Sequence, residues 1–158
     1  MGRKRQEWTV GDLFLVPTLD GEFGLGQVIG REPSVLNSAA IALFDRQVSA
    51  PGEALGCEVS FAHVFSILFV TRDLLDSAKW RVVGRKPVEI LPSAFPFEDK
   101  RASGFVGAKV VGSGNVATFV NAYFGLSPWD DWQDPEYLTG LLIRPERVPP
   151  RRILKNSR

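Results

Sequence analysis

The clearest pattern of apolar and polar positions lies near the start of the chain, in residues 8–31. Apolar residues alternate there on both sides of the dipeptide Asp20-Gly21. Asp-Gly between two alternating runs is typical of a β-hairpin, because both central positions of a type I′ turn require φ > 0. The pattern predicts two paired antiparallel strands at residues 13–16 and 23–29.

Two glycines, Gly24 and Gly26, lie on one face of the second predicted strand, and Phe23, Leu25 and Ile29 lie on the other face. A position without a side chain lets a strand bend sharply or lets another backbone lie close against it. Pro17 has no N–H to donate, so its place near the end of the first strand indicates a sheet edge or the exit into the turn. These features predict a small, strongly curved sheet.

The rest of the chain adds further strands and helices. Residues 39–45 are apolar on both faces, so we expect them to form a central strand. Apolar residues recur at helical spacing over residues 115–124, and Gly125 follows as a stop signal. The shorter predicted elements are strands at 66–71, 81–84 and 88–91, a helical turn at 73–79, and a helix at 135–142.

These elements predict an α+β fold dominated by β structure. We expect a strongly curved antiparallel sheet or a small SH3-like barrel of about five to seven strands, with one or two packed helices. The length of 158 residues and the 44% of hydrophobic residues fit a single domain over 1–158. Its basic ends, at 1–6 and 150–158, are candidates for flexible segments.

The single cysteine excludes an internal disulfide and favours a reducing compartment. No apolar run is long enough to cross a bilayer, so we predict a cytoplasmic protein that does not engage a membrane.

The net charge of +1 hides an uneven distribution of charge. Nine of the 19 basic residues lie in the first five and the last fifteen residues, and residues 6–143 contain 17 acidic residues but only 10 basic ones. An acidic body repels a phosphate backbone and attracts a cationic protein. We therefore expect a basic protein partner and no nucleic acid. The alternative is a nucleic-acid-binding module that uses the basic ends and Trp8 on the curved sheet.

Residues 127–136 contain the strongest candidate for a binding site. Two tryptophans three positions apart are interleaved with acids and with no base: Trp129, Asp130, Asp131, Trp132, Asp134 and Glu136. Large aromatic side chains supply much of the energy of a protein interface, and carboxylates select a basic partner. Two alternatives remain open. The tryptophans anchor the loop to the core, or the carboxylates bind a cation, although their spacing does not match a calcium loop.

Catalytic patterns are scarce in this sequence. His63 is the single histidine and Cys57 the single cysteine, and we expect both to be structural. The chain has no G-x-S-x-G motif, and the glycines at 107–114 do not match a phosphate-binding loop. We therefore predict no enzyme activity, no cofactor and no metal site.

Three blocks of sequence resemble a known family. They are Gly11-Asp12, Phe14, Pro17, Asp20-Gly21, Phe23-Gly24, Gly26 and Val28, then AIALFD at 40–45, then KWRVVG at 79–84. In order and spacing they resemble the immunity protein 26 family of bacterial polymorphic-toxin systems, over roughly the first half of the chain. The resemblance implies a mostly β protein that binds a cognate toxin and brings no catalytic motif. The departures are a longer segment at 47–57 and a poorly matching second half.

Together these observations predict a cytoplasmic immunity protein that neutralises a cognate toxin by stoichiometric occlusion. The hairpin residues Asp20, Gly21, Gly24 and Gly26 would be structural, and the partner would be met by the acidic tryptophan segment.

Overall fold

A computed structural model describes residues 5–155 of the chain. The strands are β1 (Asp12–Pro17), β2 (Phe23–Glu32), β3 (Ser38–Val48), β4 (Val64–Val70), β5 (Arg81–Arg85) and β6 (Val110–Val111). The helices are α1 (Asp73–Asp76), a single turn, and α2 (Ser113–Tyr123), of 11 residues. Short 3-10 turns occur at Pro51–Gly56, Phe61–His63, Pro92–Ala94, Glu98–Ser103 and Thr139–Leu141.

The strands form one six-stranded sheet in the order β5-β1-β2-β3-β4-β6. Neighbouring strands are antiparallel except β4 and β6, which are parallel, so the sheet is mixed. The α+β class and a sheet of five to seven strands are confirmed. The strongly curved antiparallel sheet or closed SH3-like barrel is wrong. Among the described residues β5 and β6 remain two separate edges, and the sheet is open and not tightly curled.

The predicted hairpin is confirmed, with Leu15 opposite Leu25. Its turn differs from type I′. Gly21 has a φ of +82°, but Asp20 does not have a positive φ. Thr18 N–H donates to the Glu22 carbonyl (2.9 Å) and Gly21 N–H to the Thr18 carbonyl (3.1 Å). This is a three-residue loop that ends in a left-handed glycine. The Thr18 hydroxyl also donates to the Asp20 carboxylate (2.7 Å), which lowers the pKa of Asp20.

The two strand glycines permit close side-chain packing. A Cβ at Gly24 would lie 2.7 Å from Cγ1 of Val120 in α2, and a Cβ at Gly26 would overlap the ring of Phe14. The Phe14 ring in turn stacks on Trp80, with centroids 5.3 Å apart. The glycines thus make room for a helix and an aromatic ring on the sheet. A sharp bend is not needed to explain them, and this is the physical reason why the curved-sheet prediction was wrong.

β3 lies in the middle of the strand order, as predicted, and both faces of the sheet are covered. One face packs against α2 and the segment that follows it, through Val28, Ile41, Leu43, Val116, Phe119 and Val120. The other face packs against loops and 3-10 turns, through Leu25, Ala42, Phe44, Ala54, Ile90 and Phe105. Every residue from Ser38 to Phe44 is therefore buried, since neither face of this part of the strand meets solvent.

Several of the remaining predictions were tested by the structure. The strand at 66–71, the turn at 73–79, the strand at 81–84 and the helix at 115–124 are confirmed within a few residues. Residues 88–91 are not a strand and contribute one bridge, from Glu89 to Ser60.

The predicted helix at 135–142 is wrong. Asp134 accepts a hydrogen bond from Glu136 N–H (2.9 Å), and the chain forms turns before the 3-10 turn at Thr139–Leu141. So short a helix with Gly140 inside it has a low intrinsic stability. The burial of Leu138 and Leu142 therefore determines the backbone conformation of this segment instead.

The close approach at Gly26 can be tested by Gly26→Ala. We expect the free energy of unfolding to fall by about 1–3 kcal/mol, because the added methyl group must displace the Phe14 ring. Urea unfolding measures it. The control is Gly114→Ala, on the exposed start of α2 with nothing within 4 Å of the new Cβ, which should leave stability unchanged or raise it by about 0.5–1 kcal/mol. Equal stability of Gly26→Ala and the parent would contradict this packing.

Candidate functional site

Trp129, the first tryptophan of the predicted site, lies in the core. Its side chain is 2% exposed, and its ring packs against Phe119 with centroids 5.9 Å apart. Its indole Nε1 donates to the Thr139 hydroxyl (3.0 Å). A buried tryptophan whose N–H is satisfied fixes a loop onto a core. Trp129 therefore anchors the segment and leaves little surface for a partner.

Asp130 and Asp131 are engaged by the basic carboxyl-terminal segment of the same chain. Lys155 N–H donates to the Asp130 carboxylate (2.6 Å), and Lys155 Nζ lies 2.8 Å from Asp131. These contacts raise the pKa of Lys155, first through the hydrogen bond to Asp131. Trp129 N–H donates to the Ile153 carbonyl (2.7 Å), so the two segments run side by side. Half of the predicted acidic cluster is thus used internally.

Asp134 and Glu136 have a different setting. Both are exposed, and neither forms an ion pair with the basic residues that the structure describes. Next to them Trp132 is half-buried against Tyr137, with ring centroids 4.8 Å apart. Two carboxylates without an internal cation therefore lie beside a pair of aromatic rings.

Asp134, Glu136 and Tyr137 line a cleft at one edge of the sheet, which we call the edge cleft. It has a volume of about 760 Å³ and lies between β4, β6 and residues 134–143. Its apolar lining includes Ile67, Phe97, Val110, Leu141 and Ile143. Its charged groups are Lys109, Asp134 and Glu136. An apolar groove with a few polar groups at its rim has the composition of a binding site.

The outer edge of β4 positions both walls of the edge cleft. On one side Ser66 Oγ donates to the Leu141 carbonyl (2.6 Å), and Ile143 N–H donates to the Phe65 carbonyl (3.1 Å). On the other side β6 pairs with Phe69 and Val70. The cleft is the gap that these two attachments leave along the strand.

The other candidate groups, His63 and Cys57, have separate hydrogen-bond partners. His63 lies between two carboxylates, with Nδ1 3.5 Å from Asp45 and Nε2 3.1 Å from Glu58. Cys57 Sγ donates to the Glu53 carbonyl (3.5 Å) and forms no hydrogen bond with His63. Within residues 5–155 no group of three histidine, cysteine or acidic side chains is placed to hold a metal ion. No helix in the same residues is long and apolar enough to cross a membrane.

Some of the aromatic and basic side chains proposed for nucleic-acid binding make contacts within the chain. Trp8 Nε1 donates to Asp76 (2.8 Å), and the Arg31 guanidinium lies 4.9 Å from the centroid of the Trp8 ring. Arg144 lies over the ring of Phe61 and donates to the Val64 carbonyl (2.9 Å). Among the other basic residues of the two ends, Arg3, Lys4 and Arg158 lie outside the described residues.

Comparison of the chain with protein-family models, curated proteins and solved structures gave no match. The site is therefore interpreted from its own geometry and from the sequence.

The different settings of the two tryptophans can be tested by alanine substitution. We expect Trp129→Ala to lower the free energy of unfolding by about 3–5 kcal/mol, because it empties a core position and orphans the Thr139 hydroxyl. Trp132→Ala should cost clearly less, since that ring is only half-buried. Urea unfolding of both variants gives the comparison. Equal losses would show that Trp129 is not the anchor of the segment.

Proposed function

We propose that this protein is an immunity protein that binds a cognate toxin and neutralises it by stoichiometric occlusion. Two lines of reasoning support the proposal. The sequence at 11–28, 40–45 and 79–84 resembles the immunity protein 26 family. The edge cleft provides a surface suited to a basic protein partner.

The observation that carries the proposal is the pair of carboxylates at the rim of the edge cleft. Asp131 is paired with Lys155, and Asp12 is paired with Arg85 at 2.9 Å. Asp134 and Glu136 form no such pair among the described residues, and they border apolar side chains. Carboxylates in this position steer a cationic partner to the site, and the apolar lining supplies affinity once water is displaced.

The family resemblance and the edge cleft occupy different parts of the sheet. The blocks that resemble the family lie in β1, β2, β3 and β5, which are four adjacent strands of the sheet. The cleft lies at the opposite edge, on β4 and β6 and on the carboxyl-terminal segment. In this proposal the resembling strands are the scaffold, and the part of the chain that departs from the family meets the toxin.

Occlusion requires no chemistry from this protein. One molecule covers the functional surface of one toxin, so protection should saturate at an equimolar ratio. The test is to mix the purified protein with the toxin domain encoded by the adjacent gene. We expect a complex of defined stoichiometry by light scattering, together with loss of toxin activity. Absence of both would contradict the proposal.

The role of the rim carboxylates can be tested by removing their charge. Asp134→Asn keeps an acceptor for Glu136 N–H, so the double variant with Glu136→Gln should fold normally. We expect its association rate with the toxin domain to fall about tenfold at low salt, and to depend less on ionic strength. Surface plasmon resonance at several salt concentrations measures both.

The matched control is Glu146→Gln, which removes an exposed carboxylate that does not line the edge cleft. Its association rate should stay within twofold of the parent. If the double variant and the control behave alike, the toxin does not meet this rim.

A further inference from the structure

The outer edge of β4 offers unpaired backbone groups inside the edge cleft. The register of β4 with β3 is continuous from Ser66 to Val70. The Phe65 carbonyl accepts from Ile143 and Thr71 N–H donates to the Val111 carbonyl, so both residues point away from β3. Backbone groups alternate in direction along an antiparallel strand. Ile67 and Phe69 therefore point away from β3 as well.

Part of this edge has no partner. The attachment at Ile143 ends at Phe65, and β6 begins to pair only at Phe69. Among residues 5–155 no backbone or side-chain group bonds the N–H or C=O of Ile67. Ile67 is only 9% exposed and lines the cleft. Buried backbone groups are almost always paired, and an open edge of a sheet is a template for another strand.

We propose that a short extended segment of the toxin adds to β4 at Ile67, between β6 and residues 141–143. This inference rests on the proposed function and names the way in which the partner binds. A residue opposite Ile67 can exchange two hydrogen bonds with it. The open edge is one residue long, at Ile67 between the attachments at Phe65 and Phe69, so the added segment is a loop tip or a chain end and not a long strand.

The surroundings of the open edge specify the side chains of the added segment. The edge cleft opens between the two layers that cover the sheet. Phe97 belongs to one layer and Tyr137 to the other, where Asp134 and Glu136 form the rim. Because successive side chains of a strand alternate between faces, the segment should carry an apolar residue on the Phe97 side and a lysine or arginine on the acidic side. This charge complementarity identifies the occupant as a basic protein segment.

Amide hydrogen exchange of the protein with and without the toxin domain tests the inference directly. We expect the Ile67 amide to exchange at least tenfold more slowly in the complex. The exposed Val106 amide, which has no hydrogen-bond partner within residues 5–155, serves as the control and should be unchanged.

A steric variant gives an independent measure. Gly140 is exposed and lines the edge cleft, and a Cβ added there meets nothing within 4 Å. Gly140→Trp should fill the entrance, raise the Kd for the toxin domain at least tenfold and leave the unfolding midpoint unchanged. The matched control is Gly114→Trp, at an exposed glycine with equal space on α2, and its Kd should stay within twofold of the parent.

The outcomes separate the inference from the proposed function. Protection of the Ile67 amide together with weakened binding by Gly140→Trp supports strand addition. A complex without that protection, and with an unchanged Kd for Gly140→Trp, overturns strand addition and leaves the immunity function standing. No complex at all overturns both. Protection of Ile67 in a dimer of the toxin-free protein would mean that a second copy fills the edge, and it would also overturn the inference.

Discussion

Burial of both faces of β3 is the constraint on which the rest of the structure depends. An uncovered face of so apolar a strand would leave a large hydrophobic surface in water, so each side needs its own layer. On one side α2 supplies that layer, and it sits close because Gly24 leaves room for Val120. On the other side loops and 3-10 turns around Ala54 and Phe105 do so. The two layers meet at the edge of β4, and the gap that remains between them is the edge cleft.

Local patterns were sufficient to predict much of this architecture. The hairpin, the central strand and α2 follow from periodicity and turn residues, because each is determined within about a dozen positions. The structural role of Gly24 and Gly26 could not be predicted from the local sequence pattern. A glycine that permits a bend and a glycine that permits close packing are identical in sequence. Val120, far along the chain, distinguishes them at Gly24, and the Phe14 ring, stacked on Trp80, does so at Gly26. The curved barrel was predicted for that reason.

The candidate site was predictable in composition but not in arrangement. Its acids are adjacent in sequence, yet Asp130 and Asp131 meet Lys155 from the end of the described chain, whereas Asp134 and Glu136 stay unpaired among the described residues. The sequence of residues 127–136 does not indicate which of these acids are paired with Lys155 and which are not. The cleft itself is assembled from segments far apart in sequence, and its most informative feature, the open backbone at Ile67, has no side-chain signature at all. Unpaired main-chain groups become visible only when the strand pairing is known.

The separation between the hairpin side of the sheet and the cleft edge has a consequence for how such a protein diversifies. The walls of the cleft contribute little to the packing of β1 against β2, so exchanges at Lys109, Asp134, Glu136 or Gly140 should be nearly neutral for folding. Backbone pairing at Ile67 would meanwhile be indifferent to the identity of the incoming residue. Under the proposed function, a lineage of such proteins could therefore change its toxin partner through a few surface substitutions, while the backbone edge of β4 that pairs with each of them stays the same.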